Sequence, residues 1–290
     1  MVAPATISQR TMPRTPKLKA PPGACDCHLH IYGPRDRYPW VAVKNRPFLD
    51  DSRLEHYLKV RDRLGLARTV VVQATQYNTN NECLLDTVAA LGANGRGIAV
   101  VDPAIPDAEL ERLNAGGVRG LRFGIELVNG MQPDALETMA ARIAPFGWHI
   151  QYRSWPEEQL DLDARFRKLP VPVVFDHMAN IAPDKGGADH PAFKALLRLL
   201  ETGRVWVKLS APYQLSRSGA PDYADYRAQG RAFVKAAPDR MVWGTNWPHP
   251  RVDAEPDEAD LLDTLFDWTE GDEKTIRKIL VDNPARLYGF

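Results

Sequence analysis

Several things are scarce in this chain, and each scarcity removes a class of explanation. Charge of one sign is missing: 37 Lys and Arg balance 37 Asp and Glu, so no global field recruits nucleic acid or an anionic membrane. Cysteine is sparse. Cys25, Cys27 and Cys83 form an odd set without a paired framework, which fits a reducing cytoplasm. Cys25 and Cys27 make a C-x-C without a second pair, so a structural zinc site is not expected. No apolar run approaches the roughly 20 residues that span a bilayer. Residues 27–34 lack the G-x-G-x-x-G turn that a dinucleotide-binding open sheet would place after its first strand. There is no internal repeat, and no linker that would split residues 23–290.

What is present is an ordinary globular composition, 44% hydrophobic and 26% charged, with ample material for one core. Residues 1–22 stand apart as a flexible basic tail. They carry Arg10, Arg14, Lys17 and Lys19, no acid, and several prolines, and they lack the apolar stretch of a signal peptide. Beyond them, β-branched or apolar runs recur at 24–30, 69–74, 97–102, 118–123, 148–152, 171–177, 205–210 and 241–246. Some are apolar almost throughout, such as Val70-Val71-Val72, as strands covered on both faces should be. Helical spacing appears between most of them, at 54–64, 81–91, 107–115, 134–143 and 191–202, and twice more at 257–268 and 273–280. Eight strands alternating with helices over about 250 residues predict a single-domain (β/α)8 TIM barrel spanning 23–290.

Barrel chemistry sits where strands end. That filter selects His28 and His30 on the first strand, Gln73, Thr75 and Gln76 on the second, and Asp102 on the third. It adds Arg122 on the fourth, Gln151 or Arg153 on the fifth, and His177 on the sixth. Lys208 and Ser210 close the seventh, and Asn246 the eighth. Strand alternation puts Asp26, His28 and His30 on one face and turns Cys27 away from them. His149 shares a face with Gln151 but lies deeper. The element Gly244-Thr245-Asn246-Trp247-Pro248-His249 should supply a carboxylate to complete the site, and it supplies an amide.

These residues carry a resemblance. Asp26-Cys27-His28-Leu29-His30 and Ile31-Tyr32-Gly33-Pro34 open it. Gly97 to Pro103, Gly116 to Phe123 and Phe175-Asp176-His177-Met178 continue it, and Gly244 to His249 and Asn283-Pro284-Ala285-Arg286-Leu287-Tyr288 close it. Together they resemble the amidohydrolase superfamily, in its branch of 2-pyrone-4,6-dicarboxylate lactonase-like and sugar-lactone-processing enzymes, over nearly all of 23–290. The resemblance implies a lactonase in which His28, His30 and His177 polarise a lactone carbonyl while a strand-eight acid takes a proton from water. No cofactor is expected. A divalent zinc ion would use His28, His30 and His177, because an Asn amide is a weak ligand.

Asn246 cannot act as that base. Either another group does, His177 or a substrate carboxylate being candidates, or the chain is an Asp-to-Asn variant, or the enzyme moves an acyl group between two substrate hydroxyls as a lactone isomerase; a barrel that only binds its ligand is a further alternative. Expected substrate contacts are Gln73, Arg122, Gln151, Lys208 and Gln214. The branch resembles enzymes with extra arginines on the loops after strands four, six and seven. Here those loops offer Glu126 or Asn129, Ala179-Asn180 and Tyr213-Gln214, so a pyrone dicarboxylate is not expected. A carboxylated or sugar-acid lactone is the expected partner, with no nucleic acid and no membrane, in a cytoplasmic monomer or homodimer.

Overall fold

A computed structural model describes residues 13–41, 52–124, 132–250 and 256–290. Eight parallel strands run in sequence order around the sheet: β1 (Cys25–Leu29), β2 (Arg68–Val72), β3 (Gly95–Ala99), β4 (Val118–Gly124), β5 (His149–Arg153), β6 (Val173–Phe175), β7 (Val205–Ser210) and β8 (Met241–Gly244). The Asn246 amide N–H donates to the His28 carbonyl at 2.7 Å, and the His30 N–H to the Trp247 carbonyl at 2.8 Å. These bonds tie β8 back to β1. The ring of strands is thereby closed into the expected single-domain barrel.

The helices are α1 (Leu54–Leu64), α2 (Glu82–Leu91), α3 (Asp107–Ala115), α4 (Leu136–Ile143) and α5 (Pro156–Phe166). They continue with α6 (Pro191–Leu200), α7 (Arg227–Ala236), α8 (Glu258–Trp268), α9 (Glu273–Arg277) and α10 (Asn283–Tyr288). Sequence periodicity located α1 and α3 to the residue but did not mark α5 or α7. The α5 sequence is rich in acids (Glu157, Glu158, Asp161, Asp163), which blurs its apolar stripe. Gly230 interrupts α7. A Cβ at Gly230 would lie 2.3 Å from the Trp268 ring of α8, so the glycine is there to let two helices approach.

Alternation sorts each strand into two layers. Val71, Leu121, Phe123, Tyr152, Val207, Leu209 and Trp243 face the helices and join the large outer core. Val70, Val72, Ile98, Val174, Trp206 and Val242 fill the barrel interior with Cys25, Cys27 and Tyr288. All three cysteines are buried and free. The expected tail is described from residue 13 onward. Leu18 is buried in the outer core, and the backbone N–H groups of Lys17 and Leu18 both donate to Asp263 at 2.7 and 3.0 Å.

Candidate active site

The site starts with a break in the alternation of β1. Asp26 pairs with Thr69 but Leu29 with Val71, so β1 spends one more residue than β2 across this stretch. This is a β-bulge, a device that re-aims a side chain. It overturns the shared face expected for Asp26, His28 and His30. Cys27 and His28 both face the interior, while Asp26 points outward. There Asp26 accepts from Thr245 Oγ1 at 2.6 Å, the Thr245 N–H at 3.0 Å, the His28 N–H at 3.1 Å and Tyr57 OH at 3.2 Å. Burial pushes its carboxyl up to about 6 against those bonds. Asp26 is therefore the latch that holds the bulge to β8.

A second irregularity follows β6. His177, Met178, Ala179 and Asn180 all have φ between 51° and 57°. A left-handed turn of L-residues costs about 1–2 kcal/mol per residue. It is held by the Ala179 N–H to the Asp176 carbonyl (2.9 Å) and by Asn180 Nδ2 to the Ser154 carbonyl (2.7 Å). On a regular strand only one of Asp176 and His177 could face inward. The turn brings both in.

The rings of His28, His30 and His177 lie close together. The His28 ring lies 4.6 Å from that of His177 and 5.1 Å from that of His30, centroid to centroid. His28 Nδ1 is 3.2 Å from Asp176 Oδ1. His177 Nδ1 is 2.9 Å from Ser210 Oγ, and His30 Nδ1 is 2.9 Å from the Val72 carbonyl oxygen. The Nε2 atoms of His28 and His177 are buried without a hydrogen-bond partner. Burial pushes both imidazoles down, His28 to about 3, with Asp176 pulling the other way. Both rings are neutral near pH 7.

Asp176, which sequence reasoning passed over, is the pivot. It accepts from Gln151 Nε2 at 3.1 Å and lies 3.4 Å from Arg122 Nη2 and 3.6 Å from Lys208 Nζ. Burial would raise its carboxyl, but His28, Lys208 and Arg122 together hold it well below the ordinary range. The ammonium of Lys208 donates to Gln151 Oε1 at 2.5 Å and to the Cys27 carbonyl at 2.9 Å, and lies 3.4 Å from His28 Nδ1. Burial lowers it to about 8, Asp176 opposing. The one signal that could have found Asp176 was a carboxylate ending an apolar run, a group that needs a partner when buried.

The remaining expected residues divide. Gln73 Nε2 ties down its own loop through the carbonyls of Asn78 (3.1 Å) and Asn80 (2.7 Å). Gln151 and Lys208 belong to the Asp176 network, and Gln214 Oε1 accepts from Arg153 Nη2 at 3.3 Å. Arg122 is buried against Asp176. Asp102 lies outside the site: β3 ends at Ala99, and Asp102 is an exposed turn residue that accepts from the Ala104 N–H at 2.8 Å. His149 lies deep as expected, 5.3 Å from the Tyr288 ring. Asn246 adopts φ 58°. Its Nδ2 donates to Tyr213 OH at 2.6 Å, and its Oδ1 is buried without a hydrogen-bond partner. Glu126 and Asn129 lie outside the described residues. Among the described residues, the ligand atoms that come within 4.8 Å of one another belong to His28, Asp176 and His177, and His30 is not one of that group.

Comparison with known proteins identifies the family. The chain is similar to a 2-pyrone-4,6-dicarboxylate hydrolase of Comamonas testosteroni, at 38% identity over 95% of this chain and 93% of that protein. It is 32% identical to a D-galactarolactone isomerase of Agrobacterium fabrum, over 94% of this chain and 93% of the isomerase. The apo crystal structure of an Agrobacterium tumefaciens protein superposes with a TM-score of 0.81 at 30% identity, covering 95% of this chain and 98% of that one. The amidohydrolase family pattern matches residues 25–290, and the chain belongs to that family.

Proposed function

We propose that this chain opens the ring ester of a carboxylated or sugar-acid lactone. The observation that carries this reading is the pair of buried, neutral imidazoles, His28 and His177, whose rings lie 4.6 Å apart and whose Nε2 atoms have no hydrogen-bond partner. An imidazole N–H arranged before substrate arrives stabilises charge that develops on a carbonyl oxygen, and a bare imidazole nitrogen can take a proton. Arg122 and Arg153, buried at the ends of β4 and β5, are the cations placed to meet a substrate carboxylate. Water opening the ring is the first reading, supported by the similarity to a lactone hydrolase.

Asn246 favours a second reading. Its amide cannot take a proton from water, and migration of the acyl group to another hydroxyl of the same substrate needs no water at all. The relative named as a lactone isomerase supports this second outcome.

The residues do not fit a resident dication. Asp176 already lies within 3.4–3.6 Å of a guanidinium and an ammonium, so a metal ion there would be a third cation around one carboxylate. The three free, buried cysteines fit a cytoplasmic enzyme.

The test is a panel of carboxylated and neutral sugar lactones in ¹⁸O-water, followed by NMR and mass spectrometry. Ring opening by water places one ¹⁸O in the product acid; ring migration yields an isomeric lactone without label. Asn246→Asp should shift the product ratio toward labelled acid. Inertness of both proteins toward every lactone would remove the proposal.

A further inference from the structure

The three histidines differ in what their Nδ1 atoms touch, and this bears on what each Nε2 can do. A neutral imidazole carries one N–H and one lone pair. His30 Nδ1 faces the Val72 carbonyl oxygen, which only accepts, so the hydrogen is on Nδ1. His28 Nδ1 faces the Asp176 carboxylate, also an acceptor only. Lys208 Nζ lies 3.4 Å from the same nitrogen, with its shorter bonds to Gln151 and Cys27. With its hydrogen on Nδ1, toward Asp176, His28 carries a lone pair on Nε2. His177 differs: its Nδ1 faces a serine hydroxyl, which can donate to it and so lets the hydrogen sit on Nε2.

We propose that His28 carries its hydrogen on Nδ1 toward Asp176, so that its Nε2 is the general base that Asn246 cannot be, and that His177 carries its hydrogen on Nε2 and donates it to the oxyanion. Asp176 is the positioning residue behind His28, and Lys208 and Arg122 keep that carboxylate ionised. The assignment rests on the lactone reading above. In the forward step an attacking O–H, from water or from a substrate hydroxyl, gives its proton to His28 Nε2 as its oxygen bonds the carbonyl carbon. The carbonyl π pair moves to oxygen and is held by His177. Collapse reforms the C=O and breaks the ring C–O bond, and the leaving alkoxide takes the proton back from His28. The imidazolium formed in between is stabilised by Asp176 at 3.2 Å.

The test pairs a measurement on the resting enzyme with a rescue series. In wild type, ¹⁵N shifts of the His28 ring should show a hydrogen on Nδ1 and a bare Nε2, with the reverse at His177. Asp176→Asn should move the His28 hydrogen to Nε2 and lower kcat about 10²–10⁴-fold, with KM within a few-fold. A glutamine amide can replace an N–H donor but not a base. His177→Gln should therefore recover roughly 10–100-fold of the kcat lost in His177→Ala, whereas His28→Gln should be no better than His28→Ala. A hydrogen on His28 Nε2 in the wild type, or recovery by Gln at 28 equal to that at 177, overturns the assignment. If no lactone is turned over, the lactone reading fails, and the tautomers still decide whether His28 presents a base.

Discussion

Residues that were singled out by position proved to act through their neighbours. His28 and His177 were legible because histidine at a strand end is uncommon, but the groups that their Nδ1 atoms face, Asp176 and Ser210, come from parts of the chain that only the fold brings to them. Their burial has a measurable consequence. His28 and His149 are pushed down to about 3 by burial, and His177 is also lowered. Below the ordinary value of 6.5 the unfolded chain binds protons that the folded chain refuses, so stability must fall as pH drops through that window. Asp26, raised from 3.8 to about 6, works the other way and offsets one of the three between those values. The net of about two protons corresponds to roughly 2–3 kcal/mol lost per pH unit. Urea midpoints at pH 7, 6 and 5 should decline accordingly, and His149→Phe, away from the reacting atoms, should decline less steeply. Equal slopes in the two proteins would show that His149 is not held neutral.

Elements followed their sequence signals where one face or one layer was apolar, and departed where a local break served the site. α1 and α3 begin and end where the periodicity does. The β1 bulge and the left-handed turn at His177 leave no mark in composition. One extra residue in β1 and four positive φ values are decided by what the neighbouring strands accept. Gly230 inverts a common rule at this scale. Glycine to alanine in a helix interior ordinarily stabilises by about 1 kcal/mol. In α7 the added methyl would strike the Trp268 ring, so Gly230→Ala should destabilise by about 1–3 kcal/mol. A raised melting temperature in that variant would show that α7 and α8 can move apart.

At the scale of the whole molecule, closure of the barrel and construction of the site are the same event. Asp26 accepts four hydrogen bonds that join β1, α1 and the segment after β8, and one of its donors is the His28 backbone. Asp26→Ala leaves four buried donors without that partner. It should cost on the order of 3–4 kcal/mol in chemical unfolding and lower kcat by releasing the bulge that aims His28. Loss of stability with unchanged kcat would separate the latch from the site.

The sequence by itself determined the architecture and its polarity. Eight apolar runs at regular spacing admit few ways to bury themselves, and strand C-termini then collect the histidines at one end. It also determined that Asn246 stands where a base would be expected. Only the tertiary structure decided which residues share a face at that end, because a bulge and a left-handed turn override the two-residue period. It alone revealed Asp176 as the pivot, since a buried carboxylate takes its role from the cations and the imidazole that the fold brings to within 3.6 Å of it.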